Sequence, residues 1–211
     1  MLYVNDIFYS IQGESSYSGY PCKFIRLAGC NLRCGYCDTK EALDIKNSKP
    51  IGIEDIIKST CSLGSAGVKL VEITGGEPMM QNESLELMNR LIDLNYTVLL
   101  ETNGTISLKK VHRNVIKIID VKCPSSGYSK EFFFENLKYI SINDEIKFVI
   151  GNKDDYDYAK NFITEYSLGS HKLIFSPVEG AVSHKEIAEK ILKDGLNVRL
   201  GVQLHKILGL K

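Results

Sequence analysis

Cys30-Asn31-Leu32-Arg33-Cys34-Gly35-Tyr36-Cys37 places three cysteines on one short loop in a C-x3-C-x2-C spacing. A structural zinc ion takes four protein ligands, and a four-iron cluster held wholly by protein takes four cysteines. Three thiolates therefore leave one metal corner open to another ligand. Taken alone, the same residues also fit a zinc loop completed by a distant histidine, or a group of buried thiols. A disulfide framework fits least well: residues 1–9 read as a strand with no signal peptide before them, and a chain of this length needs no staples. Cys22, Cys61 and Cys123 follow no regular spacing, as expected of reduced thiols in a reducing, cytoplasmic compartment.

Outward from this loop, short apolar runs alternate with amphipathic segments, the pattern of a mainly parallel α/β sheet. Strands are expected at residues 23–28, 69–74, 97–101, 115–121, 145–150, 172–176 and 197–200. Helices are expected at 53–62, 83–94, 130–137, 153–166 and 184–193. Leu85, Leu87, Met88, Leu91 and Ile92 recur at helical spacing and belong to the core. Residues 40–50 and 124–130 read as polar loops.

The 211 residues, 44% hydrophobic, suffice for a full core and are most simply one domain spanning 1–211. Lys plus Arg and Asp plus Glu balance at 26 each, which argues against nucleic acid as the main partner. No apolar run approaches the roughly 20 residues that cross a bilayer, so no membrane role is expected. A small ligand is the simplest reading.

Parallel α/β sheets bind ligands at the C-terminal ends of their strands. Thr74-Gly75-Gly76-Glu77-Pro78 follows one expected strand, and its glycines would let a ligand lie against the main chain. Glu101-Thr102-Asn103-Gly104 closes the next strand with an acceptor and an amide suited to ribose hydroxyls. Lys122 ends a third, where it is either a surface lysine or a ligand contact. Near the N-terminus, Ser10-Ile11-Gln12-Gly13-Glu14 precedes Arg26, an arginine inside the apolar run Phe24-Ile25-Arg26-Leu27. A buried arginine needs a partner, and its planar fork suits a carboxylate. That partner is either Glu14 or an acidic substrate whose ring Gln12 and Glu14 would read.

Cys30, Cys34 and Cys37 together with Thr74-Gly75-Gly76-Glu77-Pro78 resemble the radical S-adenosylmethionine enzymes. Within that family the likeness is to members that contract a pterin to a deazapurine in the queuosine pathway. It runs through Gly19-Tyr20-Pro21, Tyr36-Cys37-Asp38-Thr39 and Lys122-Cys123-Pro124-Ser125-Ser126-Gly127 to Gln203-Leu204-His205-Lys206. It implies a partial (β/α) barrel, abbreviated over its last three or four strand-helix pairs. It implies a [4Fe-4S] cluster on Cys30, Cys34 and Cys37, with S-adenosylmethionine chelating the open iron. One-electron cleavage of that nucleotide would give a 5'-deoxyadenosyl radical that takes hydrogen from C6 of 6-carboxy-5,6,7,8-tetrahydropterin, and ammonia would leave.

By the same resemblance, Tyr36, Cys37, Asp38, Gly76, Glu101, Asn103, Asp120 and Lys122 line the nucleotide. Ile11, Gln12, Gly13, Glu14, Arg26, Thr74 and Lys211 line the pterin, with His205 and Lys206 beside it. Thr39 contacts Mg2+ rather than merely capping the next turn. A flavodoxin or ferredoxin as electron donor and a homodimer complete the expectation. Rival readings are an activase that installs a glycyl radical on a partner protein, an electron carrier, and a zinc module; binding of the adenosyl nucleotide excludes the last two.

Overall fold

The structure, a computed structural model, describes residues 1–211, the side chain of Asn47 excepted. Nine strands form one sheet: β1 (Leu2–Ile11), β2 (Pro21–Leu27), β3 (Lys49–Ile51), β4 (Leu70–Gly75), β5 (Thr97–Thr102), β6 (Ile116–Val121), β7 (Glu145–Ile150), β8 (Lys172–Pro177) and β9 (Arg199–Leu200). Their order is β3-β1-β2-β4-β5-β6-β7-β8-β9, an open barrel with a seam between β3 and β9. The pairs from β2 to β9 are parallel, while β1 runs antiparallel to β2 and β3. Because β1 runs against the others, the turn at residues 12–20 lies at the N-terminal end of the parallel strands. The cysteine loop, which follows β2, lies at the opposite end.

Strand alternation divides the side chains between two faces. Ile25 and Leu27, Val71 and Ile73, Val98 and Leu100, and Phe148 and Ile150 join one core with Leu87, Met88 and Leu91 of α2 (Ser84–Asp93). The residues between them, including Arg26, Glu72, Thr74, Glu101, Asp120 and Lys147, line the concave face. Burial of the first set drives the fold, and the second set is free to carry chemistry.

Helices α1 (Ile53–Ser62), α2, α3 (Lys153–Glu165) and α4 (His184–Asp194) match expectation within one residue at each end. Their starts are written locally. The Asn152 side chain accepts from Asp155 N at 3.0 Å, and Ser183 from Glu186 N at 3.1 Å, satisfying N–H groups that the helix leaves unpaired. A short α5 (Leu204–Ile207), not expected, follows β9.

Other expectations are corrected. Residues 130–137 form no α-helix; a 3-10 turn runs Phe134–Tyr139 instead. Phe133 N bonds Gly104 O at 3.0 Å, and Asn136 bonds Gly104 O, Ile106 O and Leu108 N. These long-range bonds, with Phe132 and Phe134 edge-on at 5.4 Å, turn the segment into a strap across the β5–β6 connection. Residues 40–50 fold into two 3-10 turns and enter β3. Abbreviation falls in the middle of the barrel, since among the described residues no α-helix joins β5 to β6 or β6 to β7, whereas α3 and α4 are full length. Among the described residues no helix is long and apolar enough to cross a membrane.

Candidate active site

Beyond Leu27 the chain turns at Gly29, φ +93°, into the cysteine loop. Gly75 and Gly76, at the end of β4, also serve this turn. A Cβ on Gly75 would sit 2.0 Å from Leu27 O, and one on Gly76 would sit 2.1 Å from Gly29 O. Glycine is required there so that two strand ends and the loop can touch, before any ligand is considered. Glu77 then braces the rim. Its buried carboxylate accepts from Asn103 N at 2.7 Å, Thr102 Oγ1 at 2.8 Å and Met79 N at 2.9 Å.

Every residue expected to hold the cluster, Mg2+, the nucleotide or the pterin lines one cavity of about 620 Å³, an ordinary size for a small-molecule site. It has three levels. At the rim stand Cys30, Cys34 and Cys37, all with free thiols, together with Tyr36, Asp38, Thr39, Gly76, Asn103 and Lys122. At mid-depth lie Arg26, Thr74, Glu101, Asp120 and Lys147. The turn after β1 forms the floor, with Ile11, Gln12, Gly13 and Glu14.

At mid-depth one buried ammonium organises the charges. Lys147 Nζ lies 3.1 Å from Glu14 and 3.8 Å from Asp120, and it contacts Glu101. Burial disfavours its charge, but Glu101, Glu14 and Asp120 outweigh burial and hold its pKa well above the ordinary value. Glu101 also accepts from the Thr74 hydroxyl at 3.2 Å, so it belongs to this level more than to Asn103. Asn103 instead donates to Asn31 Oδ1 at 3.1 Å and accepts from Thr105. Lys122 pairs with Asp120 at 2.9 Å and lies 6.0 Å over the Tyr36 ring.

Arg26 does not pair with Glu14. The Glu14 carboxylate is taken by Lys147 and by Gln203, which donates at 2.9 Å. Arg26 reaches exposed Glu41 at 3.7 Å and stacks 5.4 Å over the Phe8 ring, while its buried Nε has no partner. Tyr36 Oη and Asp120 Oδ1, on two further residues that line the cavity, are likewise buried and unpartnered among the described residues.

The seam of the barrel is covered by the last residues. Leu204 N donates to Gly13 O at 2.9 Å, Lys206 bridges Asp38 at 3.0 Å and Glu179 at 3.4 Å, and Lys211 contacts Asp6. Burial opposes ionisation of Asp38, yet Lys206 and Gln203 hold it at about 2. Thr39 makes no side-chain cap to the turn it precedes; its hydroxyl donates to Asp38 Oδ1 at 3.1 Å.

Lys147 and Glu72 escaped sequence reasoning, and Gln203 entered only within the string that closes the resemblance. Glu72 and Lys147 lie inside strands, and attention to strand ends passed over them. The available signal was alternation: Glu72 is in phase with Thr74 on the face opposite Val71 and Ile73.

Whether the rim suits an iron–sulfur cluster is decided by its donors. Three soft thiol ligands face one cavity, Leu32 N approaches Cys30 Sγ at 3.4 Å, and Asn103 Nδ2 approaches it at 3.9 Å. Burial raises the Cys30 and Cys34 thiols, so metal binding would displace their protons. The residues fit such a group.

An open β/α barrel carrying this three-thiol loop at its C-terminal rim defines a radical S-adenosylmethionine enzyme, and the Radical SAM superfamily model matches residues 24–122. The chain is 40% identical to the 7-carboxy-7-deazaguanine synthase of Koribacter versatilis, over 97% of this chain and 96% of the relative. It is 38% identical to that of Thermoplasma acidophilum, over 97% and 96%. The chain therefore belongs to the 7-carboxy-7-deazaguanine synthase family. In fold it superposes on the crystal structure of QueE from Escherichia coli with a TM-score of 0.78 at 23% identity, covering 97% of this chain and 94% of that one. The Streptococcus suis SuiB structure bound to S-adenosylmethionine gives 0.55 at 15% identity, over 81% and 44%. Membership implies a [4Fe-4S] cluster and S-adenosylmethionine.

Proposed function

We propose that this protein is a lyase that converts 6-carboxy-5,6,7,8-tetrahydropterin to 7-carboxy-7-deazaguanine and ammonia. When bound at the rim, the cluster and S-adenosylmethionine supply a hydrogen-abstracting adenosyl radical. Cys30, Cys34 and Cys37 hold the cluster. Tyr36, Asp38, Gly76, Asn103, Asp120 and Lys122 hold the nucleotide. Glu101, joined to Thr74 and Lys147, would also contact the nucleotide. Beneath the nucleotide, Gln12 and Glu14 present polar edges to the pterin ring, flanked by Ile11, Gly13 and Thr74, with Lys211 near the seam.

The observation that carries this reading is Arg26, a strand arginine that lines the cavity and whose ion pair there is a loose 3.7 Å contact to exposed Glu41. Such a fork suits the substrate carboxylate. Thr39 supplies a hard oxygen ligand for Mg2+ beside that carboxylate. A flavodoxin or ferredoxin as reductant, a homodimer, a single working domain and a cytoplasmic location belong to the same reading and rest on the family likeness.

Anaerobic reconstitution with iron and sulfide, followed by reduction with S-adenosylmethionine and the carboxypterin, tests it by mass spectrometry. The expected product is 7-carboxy-7-deazaguanine. Formation of 5'-deoxyadenosine with the pterin unchanged would overturn the substrate while leaving the enzyme class.

A further inference from the structure

Glu72 is 4% exposed, lies in mid-strand on β4 and lines the inner pocket, where the expected binding set gives it no role. Across the sheet its register partners are Phe24 on β2 and Leu99 on β5, so no cation flanks it within its layer. The groups that face it are Gln12 and Glu14 from the floor, Glu101 from β5, Lys147 from β7 and Cys22 from β2. Lys147 is engaged by Glu14, Glu101 and Asp120, and Lys122 by Asp120. Four carboxyl groups thus share two ammonium groups, and Glu72 is the one without an ion pair.

The hydrogen bonds assign its oxygens. Gln12 Oε1 accepts from Glu14 N at 2.8 Å, which turns the Gln12 Nε2 donor toward Glu72. That bond occupies one Glu72 oxygen as an acceptor. Among the described residues the other oxygen has no side-chain or main-chain hydrogen bond. A buried carboxyl without a counter-ion is most stable neutral, and a neutral carboxyl must place its O–H on an acceptor. Burial first, and then Glu101 and Glu14, push its proton affinity the same way.

We propose that Glu72 is a specificity-determining residue of the inner pocket: a carboxyl that keeps its proton, fixes the Gln12 carboxamide and offers its O–H to a carbonyl or ring-nitrogen acceptor of the bound heterocycle. The ligand half rests on the pterin reading above; the protonated state stands without it. Loss of protonation would turn this donor into an anion facing the ligand's acceptor, so affinity falls as pH rises through the Glu72 titration.

Infrared difference spectroscopy of the reconstituted protein tests the first half. The carbonyl stretch of a protonated carboxyl is expected at neutral pH, absent from Glu72→Gln, and its absence from the wild type would overturn the proposal. Binding of fluorescent 6-carboxypterin in the presence of S-adenosylmethionine tests the second. Glu72→Gln, which keeps a neutral donor, is expected to bind within about threefold of wild type and to lose the pH dependence. Glu72→Leu is expected to bind about tenfold more weakly. Wild-type affinity retained in Glu72→Leu, or the same pH dependence in Glu72→Gln, would overturn the ligand contact alone. Probe binding absent from the wild type, with the infrared band present, would overturn the pterin reading and the ligand contact together.

Discussion

Lys117 and Lys147 are both lysines buried in the sheet, and they differ in how many carboxylates they meet. Lys117 faces one: Asp144 lies 2.9 Å away and also accepts from Lys117 N at 2.8 Å and Ser141 N at 2.6 Å. Charge and hydrogen bonds close within a pair near the start of β6, and nothing is left for a ligand. Lys147 faces Glu14, Glu101 and Asp120, with Glu72 close by, in the cavity under the cysteine loop. A balanced buried pair braces a fold, and an unbalanced cluster marks a place where a polar guest completes the count. Lys23 extends the comparison, for this fully buried ammonium meets the Tyr96 hydroxyl at 3.3 Å and the ring of the same residue at 5.3 Å, and among the described residues it has no ion pair.

The comparison breaks most visibly at Lys147. Lys147→Met leaves three carboxylates around an empty centre and should cost about 3–5 kcal/mol in urea unfolding, with turnover lost. Because the raised Lys147 titration lies above lysine's usual value of about 10.4, the wild-type contribution stays constant through neutral pH and fades only beyond that value. A Lys147→Met protein as stable as wild type would mean that the carboxylates do not depend on it. Asp144→Ala should cost about 3 kcal/mol by the same measurement, while cluster content and S-adenosylmethionine affinity per folded molecule stay at wild-type levels. Altered nucleotide affinity there would blur the division between brace and site.

Glu72→Gln sharpens the contrast through pH. A carboxyl whose proton affinity is raised by folding binds more protons in the native state, so wild-type stability declines as pH rises above the usual glutamate value of about 4.3. The variant escapes that decline and should melt higher at neutral pH, the gap closing toward acid; parallel melting curves at every pH would contradict it. Lys23→Met is the smallest change. Burial lowers the Lys23 titration, so the wild type gains stability toward alkaline pH, whereas the methionine variant should be neutral to about 1 kcal/mol more stable near neutrality. A large loss on that substitution would give Lys23 a role its surroundings do not show.

Much of this was legible in residue order. Periodicity located four helices nearly to the residue, and the cysteine spacing with the Thr74–Pro78 turn pointed to one rim. The strap at residues 130–137 was not legible, since its aromatic run has helical composition while its hydrogen-bond partners lie across the β5–β6 connection. Nor was the inner charge cluster. Local sequence places Glu72 and Lys147 in strands, but their meeting depends on curvature that brings β4 opposite β7. Arg26 was visible as an anomaly, yet only the fold shows that Glu14 is committed elsewhere.

Gly13 carries a consequence for descent. A Cβ at this position would lie 1.9 Å from His205 Nδ1, so any side chain there requires the C-terminal strip to retreat. The floor of the pocket and the cover of its seam are thereby tied as an evolutionary pair: a lineage can remodel one only as fast as it finds a compensating change in the other.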